Sequence, residues 1–289
     1  MANSRKLPGF ENLKRSIEGE LHDDGFTCGR YSTDASIYQM MPYGVVVPKT
    51  NDDIKAAISF CKDQGMALLP RGGGTSQCGQ TVNHALVLDN TKYLNSILEL
   101  DIKNQRCVVQ PGIVLDELNR QLKPYGLWFP VDVSTSSRAT IGGMAANNSC
   151  GGRSIRYGIM RDNVDAIDAF LADGSHARFG AYDPTKLPPS GRLGKVLPDL
   201  LKLGATHKDD ILSSFPKVLR RVGGYNIDAL IPDAMALRPH GKVGDGINLA
   251  HLLVGSEGTL AYSTSITLKL SPLPARKVMG LCHFPSFYK

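Results

Sequence analysis

Apolar residues fall in short blocks whose period changes along the chain. Leu13, Ile17 and Leu21 stand at i, i+4 and i+8 and predict a helix over 13–21. Val45-Val46-Val47, closed by Pro48, predicts a strand. Thr50 or Asn51 caps a helix that runs to about Gln64, with Ile54, Ala57, Ile58 and Cys61 on its apolar face and Gly65 as its stop. Met66-Ala67-Leu68-Leu69 is the next strand. This is a β-α-β unit, and the loop after its second strand lies where open α/β sheets bind ligands. Leu86-Val87-Leu88, the stretch 97–100 and Cys107-Val108-Val109 predict further strands, the last ended by Pro111-Gly112. The stretch 114–122 predicts a helix with Leu115, Leu118 and Leu122 inward. After Trp128 the character changes. Residues 139–158 are rich in small side chains and Asn, and 164–171, 177–179 and 264–270 predict strands of a second sheet. The region 180–245 is irregular, with short helices predicted near 196–203 and 209–215.

The loop after the β-α-β unit reads Pro70-Arg71-Gly72-Gly73-Gly74-Thr75-Ser76. Three glycines leave no side chain between the backbone and whatever approaches it. They also permit positive φ, so successive N–H groups can face one concavity suited to phosphate oxygens. A P-loop would need a Lys that is missing here. A dinucleotide fingerprint would need a glycine opening a long apolar helix, whereas Gln77-Cys78-Gly79-Gln80-Thr81-Val82-Asn83 is polar and turn-like. Phosphates would therefore be held by loop amides, without a helix dipole behind them. A glycine-rich turn that binds nothing is the alternative.

Composition narrows the class. With 289 residues, 42% hydrophobic and 21% charged, the chain can bury one large core or two lobes. A net charge of +6 suits an anionic cofactor or substrate. No basic tract or aromatic platform points to nucleic acid, and Lys217, Arg220 and Arg221 read as a solvated helix face. No apolar run approaches the ~18 residues that span a bilayer, so the protein is not expected to be transmembrane. The polar N-terminus lacks a signal-peptide core. A cytoplasmic protein is expected, with peripheral membrane association left open. The six cysteines form no C-x-x-C pair, and the seven histidines show no H-x-H or H-E-x-x-H pairing. Neither an iron–sulfur cluster nor another metal site is expected within the chain.

Three further segments join the glycine loop. They are Thr140-Ile141-Gly142-Gly143-Met144-Ala145-Ala146-Asn147-Asn148-Ser149-Cys150-Gly151-Gly152, Arg156-Tyr157-Gly158, and Leu252-Leu253-Val254-Gly255-Ser256-Glu257-Gly258-Thr259-Leu260. In this order and spacing the chain resembles the FAD-linked oxidase and dehydrogenase family, whose flavin domain is shared with vanillyl-alcohol oxidase and p-cresol methylhydroxylase. Tyr31-Ser32-Thr33-Asp34, Tyr38 and Pro42 fit its bacterial 2-hydroxy-acid branch. The resemblance covers about Tyr31 to Leu270. It implies an α+β, two-lobed FAD-binding domain. The expected divisions are an N-terminal helical extension (1–30), a first lobe (31–103), a second lobe (104–272) and the start of a cap domain (273–289).

The resemblance also implies a cofactor site. Gly72, Gly73, Gly74, Thr75 and Ser76 would bind the FAD pyrophosphate, with Gly79 and Gln80 beside them. Arg71 would either add charge or form a surface ion pair. Thr140, Ile141, Gly142 and Gly143 would let the backbone approach the flavin or ribityl chain, and Asn147 and Asn148 would bond pyrophosphate or ring-edge atoms. The same small-residue run could instead serve tight helix–sheet packing. Pro130, Gly152, Tyr157 and Gly158 complete the expected set. Glu257 and Gly258 would lie near the adenine and ribose or fix the loop that does, with a structural cap as the alternative for Glu257. Thr75 stands where members with covalent flavin carry a His, so FAD is expected to be non-covalent. Cys78 and Cys150 lie close to the expected cofactor but do not match the cysteinyl-flavin pattern.

The implied activity is oxidation of a 2-hydroxy acid, such as D-2-hydroxyglutarate, D-lactate or glycolate, to the 2-oxo acid by hydride transfer to flavin N5. The electron acceptor would be a quinone, a carrier protein, an iron–sulfur module or dioxygen. The catalytic base is expected in a cap domain beyond residue 289, of which 277–284 would be the first strand. Two alternatives share the fold. One is an NADPH-dependent reductase like the enolpyruvyl-UDP-N-acetylglucosamine reductase, which lacks the Gly-Ser-Glu-Gly-Thr-Leu pattern. The other is a flavin-binding subunit that only relays electrons.

Overall fold

The computed structural model describes residues 9–186, 189–232, 240, 246–276 and 278–288. Elements α1 (Phe10–Ser16), β1 (Glu20–His22), α2 (Gly25–Arg30), β2 (Gly44–Val47), α3 (Asn51–Asp63), β3 (Leu68–Arg71) and β4 (Leu86–Asp89) build the first lobe. Elements β5 (Ile97–Asp101), β6 (Arg106–Val109), α4 (Leu115–Leu122), β7 (Leu127–Trp128), α5 (Ile141–Asn147), α6 (Ser154–Tyr157), α7 (Met160–Asn163), β8 (Val164–Phe170) and β9 (His176–Phe179) begin the second. It continues with β10 (Ala181–Tyr182), α8 (Gly191–Thr206), α9 (Lys208–Ser214), β11 (Ile247–Asn248), α10 (Ala250–Leu253), β12 (Tyr262–Lys269) and β13 (Ser271–Pro272).

The first sheet has the order β1-β2-β4-β3, with β2, β4 and β3 parallel and β1 antiparallel at the edge. Its strands β2 and β4 are buried along their whole length, as a covered parallel sheet requires. The second sheet, β5-β6-β12-β8-β9, is wholly antiparallel, and β12 alternates buried and half-buried positions along most of its length. The main core lies behind this sheet, among α4, α5, α8 and α10. The first lobe's core takes Phe170 and Tyr262 from the second lobe, so the lobes share apolar packing. Among the described residues, no helix is long and apolar enough to cross a membrane.

Several expectations shift. The helix expected over 13–21 ends at Ser16, and Leu21 joins β1 opposite Val46. Asp53, the N3 residue of the α3 capping box, accepts from the Glu18 and Gly19 N–H groups and pulls the chain out of the helix. The N-terminal extension therefore supplies an edge strand of the first sheet. Strand β3 starts and ends two residues later than its apolar run suggests, so Arg71 belongs to the sheet. Strand β5, expected in the first lobe, pairs with β6 in the second sheet. Helix α8 is longer than expected: it starts at Gly191, ahead of the 196–203 stretch, and carries Pro198 inside it. Pro216 follows α9, so Lys217, Arg220 and Arg221 share no helix face. Of the strand expected over 277–284, Lys277 lies outside the described residues. Residues 278–284 form no strand, and Val278 and Met279 are exposed.

Candidate functional site

A cavity of about 400 Å³ opens between the lobes. The loop after β3 forms one wall and the segment leading into α5 forms the other. Close approach of these two walls explains two of the three consecutive glycines. A Cβ on Gly72 would stand 2.1 Å from Thr140 Oγ1, and one on Gly73 would stand 2.3 Å from the Arg138 carbonyl oxygen. Gly142 also packs closely, and a Cβ on it would stand 2.8 Å from the Pro111 carbonyl oxygen. Only Gly74 of the triplet has positive φ, at 62°. Of the positive φ that glycine permits, only Gly74 makes use, and Gly72 and Gly73 are needed for lobe-to-lobe contact.

Hydrogen-bond accounting identifies where an anion can bind. The first amides of α5 are occupied. Ile141 N–H donates to Ile113 O at 2.9 Å, Gly142 N–H to Pro111 O at 2.8 Å, and Gly143 N–H to the Thr140 cap oxygen at 3.3 Å. Among the described residues, no acceptor serves the N–H groups of Gly73, Gly74, Thr75 or Ser76. A loop with several free amides beside a cavity is a ready site for phosphate oxygens.

Arg71 forms no ion pair among the described residues. Its guanidinium donates to the carbonyl oxygens of Tyr31 (3.0 Å), Thr81 (2.9 Å) and Thr33 (2.7 Å) and lies over the Tyr31 ring. It fastens the 31–34 segment to the glycine loop. It also leaves a positive charge directly behind Gly74, where a Cβ would be 2.8 Å from its Nη2.

Glu257 is a non-glycine residue in the left-handed region, with φ 52°. Its Oε1 accepts from Asn147 Nδ2 of the second lobe at 2.9 Å and from Gln80 Nε2 of the first at 3.4 Å. Its N–H donates to Ala146 O at 2.9 Å, which fixes the turn on the end of α5. Glu257 thus clasps both lobes across the cavity.

The cavity gathers Arg71 to Ser76, Gln80, Thr140, Gly142, Gly143, Asn147, Glu257 and Gly258. The other expected residues stand outside its wall. Asn148 is fully buried at φ 54°, ends α5, and uses Oδ1 to accept the Arg161 N–H. Ile141 points into the main core. Pro130 is buried, and Gly79 (φ 79°) turns the chain against the Tyr38 ring. Gly152 lies near Asp132, Tyr157 packs edge-on against Trp128, and Gly158 (φ 80°) ends α6 beside Asp162. Cys78 and Cys150 do border the cavity. By contrast, burial pushes the Cys61 and Cys107 thiols up to about 12, which keeps them protonated.

Sequence reasoning missed Asn90, Ser134, Thr135 and Ser263, which also line the cavity. Asn90 could have been found, since it follows a parallel strand at the sheet's carboxyl edge. The buried group behind Asn148 was also missed. Arg161, fully buried, donates to Asp228 and Asn226, and Arg221 reaches the same two residues rather than solvent.

The family described as "FAD binding domain" matches residues 42–180. A D-2-hydroxyglutarate dehydrogenase of Pseudomonas putida is 33% identical over 99% of this chain and 28% of its own length. Residues 42–180 carry the FAD binding domain of this family. Its cofactor is FAD. Glycolate oxidase subunit GlcD of Bacillus subtilis is 31% identical over 90% of this chain and 44% of its own length. The chain spans less than half the length of these flavin-family relatives. Among solved structures, an alkyldihydroxyacetonephosphate synthase aligns with a TM-score of 0.67 at 19% identity, over 96% of this chain and 42% of that one. The fold is therefore the two-lobed α+β FAD-binding type.

Proposed function

We propose that this chain holds the FAD of an oxidoreductase that oxidises a small 2-hydroxy acid to the 2-oxo acid. The observation that supports this reading is one cavity, shared by both lobes, bordered by free loop amides with the Arg71 guanidinium behind them. Bound there, FAD supplies the two-electron acceptor that no side chain can provide. On this reading the Gly73 to Ser76 amides hold the pyrophosphate. Thr140, Gly142 and Gly143 allow close approach from the second lobe, and Asn147 with Glu257 flank the adenosine half. Thr75 forms no histidyl bond, so the flavin is held without a covalent link. The substrate class is supported by the relatives named for D-2-hydroxyglutarate and glycolate. A reductase driven by NADPH finds no such support.

The test has two parts. Purified protein should show visible flavin absorbance, or acquire it when FAD is added. In the full-length polypeptide that absorbance should bleach anaerobically with D-2-hydroxyglutarate, D-lactate or glycolate. Bleaching by NADPH alone would favour the reductase, and no flavin uptake at all would remove the proposal.

A further inference from the structure

Asn90 directly follows β4 and is 6% exposed, yet it borders the cavity. Its Oδ1 accepts a hydrogen bond from the Tyr262 hydroxyl, at the start of β12 in the other lobe. Tyr262 is itself buried, and burial pushes its phenol up, so the hydroxyl keeps its proton and serves as donor. An amide's orientation follows from its hydrogen-bond network, and this bond turns the oxygen toward Tyr262 and leaves Nδ2 on the other side.

The backbone of Asn90 is held as firmly. Its N–H donates to the Arg71 carbonyl at 3.1 Å, at the foot of the glycine loop. Gly112 packs so close that a Cβ there would be 1.9 Å from the Asn90 carbonyl oxygen. Among the described residues, no acceptor serves Nδ2. Nδ2 therefore keeps access to solvent, and the cavity that Asn90 lines is the open space in which it can meet a ligand acceptor.

We propose that Asn90 anchors the cofactor, its Nδ2 donating to an oxygen of the phosphate–ribityl stretch of the dinucleotide, with Tyr262 as the positioning residue that holds the amide. This rests on the FAD reading above. A phosphate oxygen and a ribityl hydroxyl offer the donor the same chemistry, and the two can be told apart with ADP, which has the pyrophosphate but no ribityl chain.

The experiment is calorimetric titration of FAD, and separately of ADP, into flavin-free protein at pH 8. Asn90→Ala should weaken FAD binding about tenfold, the scale of one net hydrogen bond. Asn90→Asp keeps the shape and the Tyr262 bond but replaces the donor with a carboxylate, so it should weaken FAD further. It also carries the test if the alanine variant does not fold. Tyr262→Phe should weaken FAD less than Asn90→Ala, since the amide remains but is no longer aimed. Equal losses for ADP identify a phosphate oxygen as partner, and losses confined to FAD identify the ribityl chain; either supports the proposal. FAD affinities of both Asn90 variants within about twofold of wild type would overturn it. A wild-type protein that takes up no FAD would overturn the flavin reading itself, a distinct result.

Discussion

At the residue scale, glycine identity decides whether the lobes can meet. Gly72→Ala and Gly73→Ala each force a methyl group into Thr140 or the Arg138 backbone. Each should lower stability by about 1–3 kcal/mol and weaken FAD binding, as thermal unfolding and titration would report. Gly29→Ala is the control: nothing stands within 4 Å of its added Cβ, and it lies inside α2. That change should be neutral or stabilising by up to about 1 kcal/mol. A second outcome concerns the link to the cofactor. With Thr75 in the loop, flavin should leave the polypeptide on acid precipitation, despite Cys78 and Cys150 at the cavity. Fluorescent protein on a denaturing gel would contradict this. The glycine loop was legible in sequence because three glycines in a row have few other uses. The division of labour among them was not, since close contact and positive φ select the same residue. The fastening role of Arg71 was hidden for a related reason: an arginine's charge is visible in sequence, whereas the carbonyls it ties together come from 31, 33 and 81.

At the element scale, polar clusters join strands that sequence patterns treat separately. Glu20 on β1 accepts hydrogen bonds from Lys92 and Tyr93, beyond β4, and pairs with His22. The Lys92 ammonium, then Tyr93 and His22, hold its carboxyl down at about 2, against an ordinary value of 4.5. A carboxyl depressed in the folded state contributes stability above its unfolded value and loses it as pH falls. Glu20→Gln should therefore be less stable than wild type at pH 7 by up to about 1 kcal/mol, the scale of a partly exposed ion pair. In urea unfolding the difference should shrink below pH 4.5 and vanish near pH 2. A pH-independent difference would contradict the assignment. The group around Arg161 is more demanding, because the arginine is fully buried. Asp228→Ala removes the carboxylate that Arg161 and Arg221 share and should cost about 3–5 kcal/mol. Asp228→Asn keeps a hydrogen-bond acceptor and should cost less, and equal losses in the two variants would argue against a charge effect. None of this was readable beforehand. The contacts that join Glu20 to Lys92 and Tyr93, and Arg161 to Asn226 and Asp228, span 65 or more positions, and periodicity reports only on neighbours.

At the scale of the whole molecule, both sheets were foreshadowed by the change from buried runs near β2 and β4 to alternation in β12. The boundary between them was not. Strand β5 looks like more of the first lobe until its pairing with β6, and through β6 with β12, is known. The cavity exists because apolar packing, the Tyr262–Asn90 bond and the Glu257 clasp hold the lobes at one separation. FAD binding should therefore be a property of both lobes together. Hydrogen exchange with and without FAD measures this most directly. The free amides from Gly73 to Ser76 should exchange fast in the flavin-free protein and slow sharply on binding. The segments holding Asn147 and Glu257 should gain protection over the same range of FAD concentration. Protection of one wall alone, or of neither, would contradict the account.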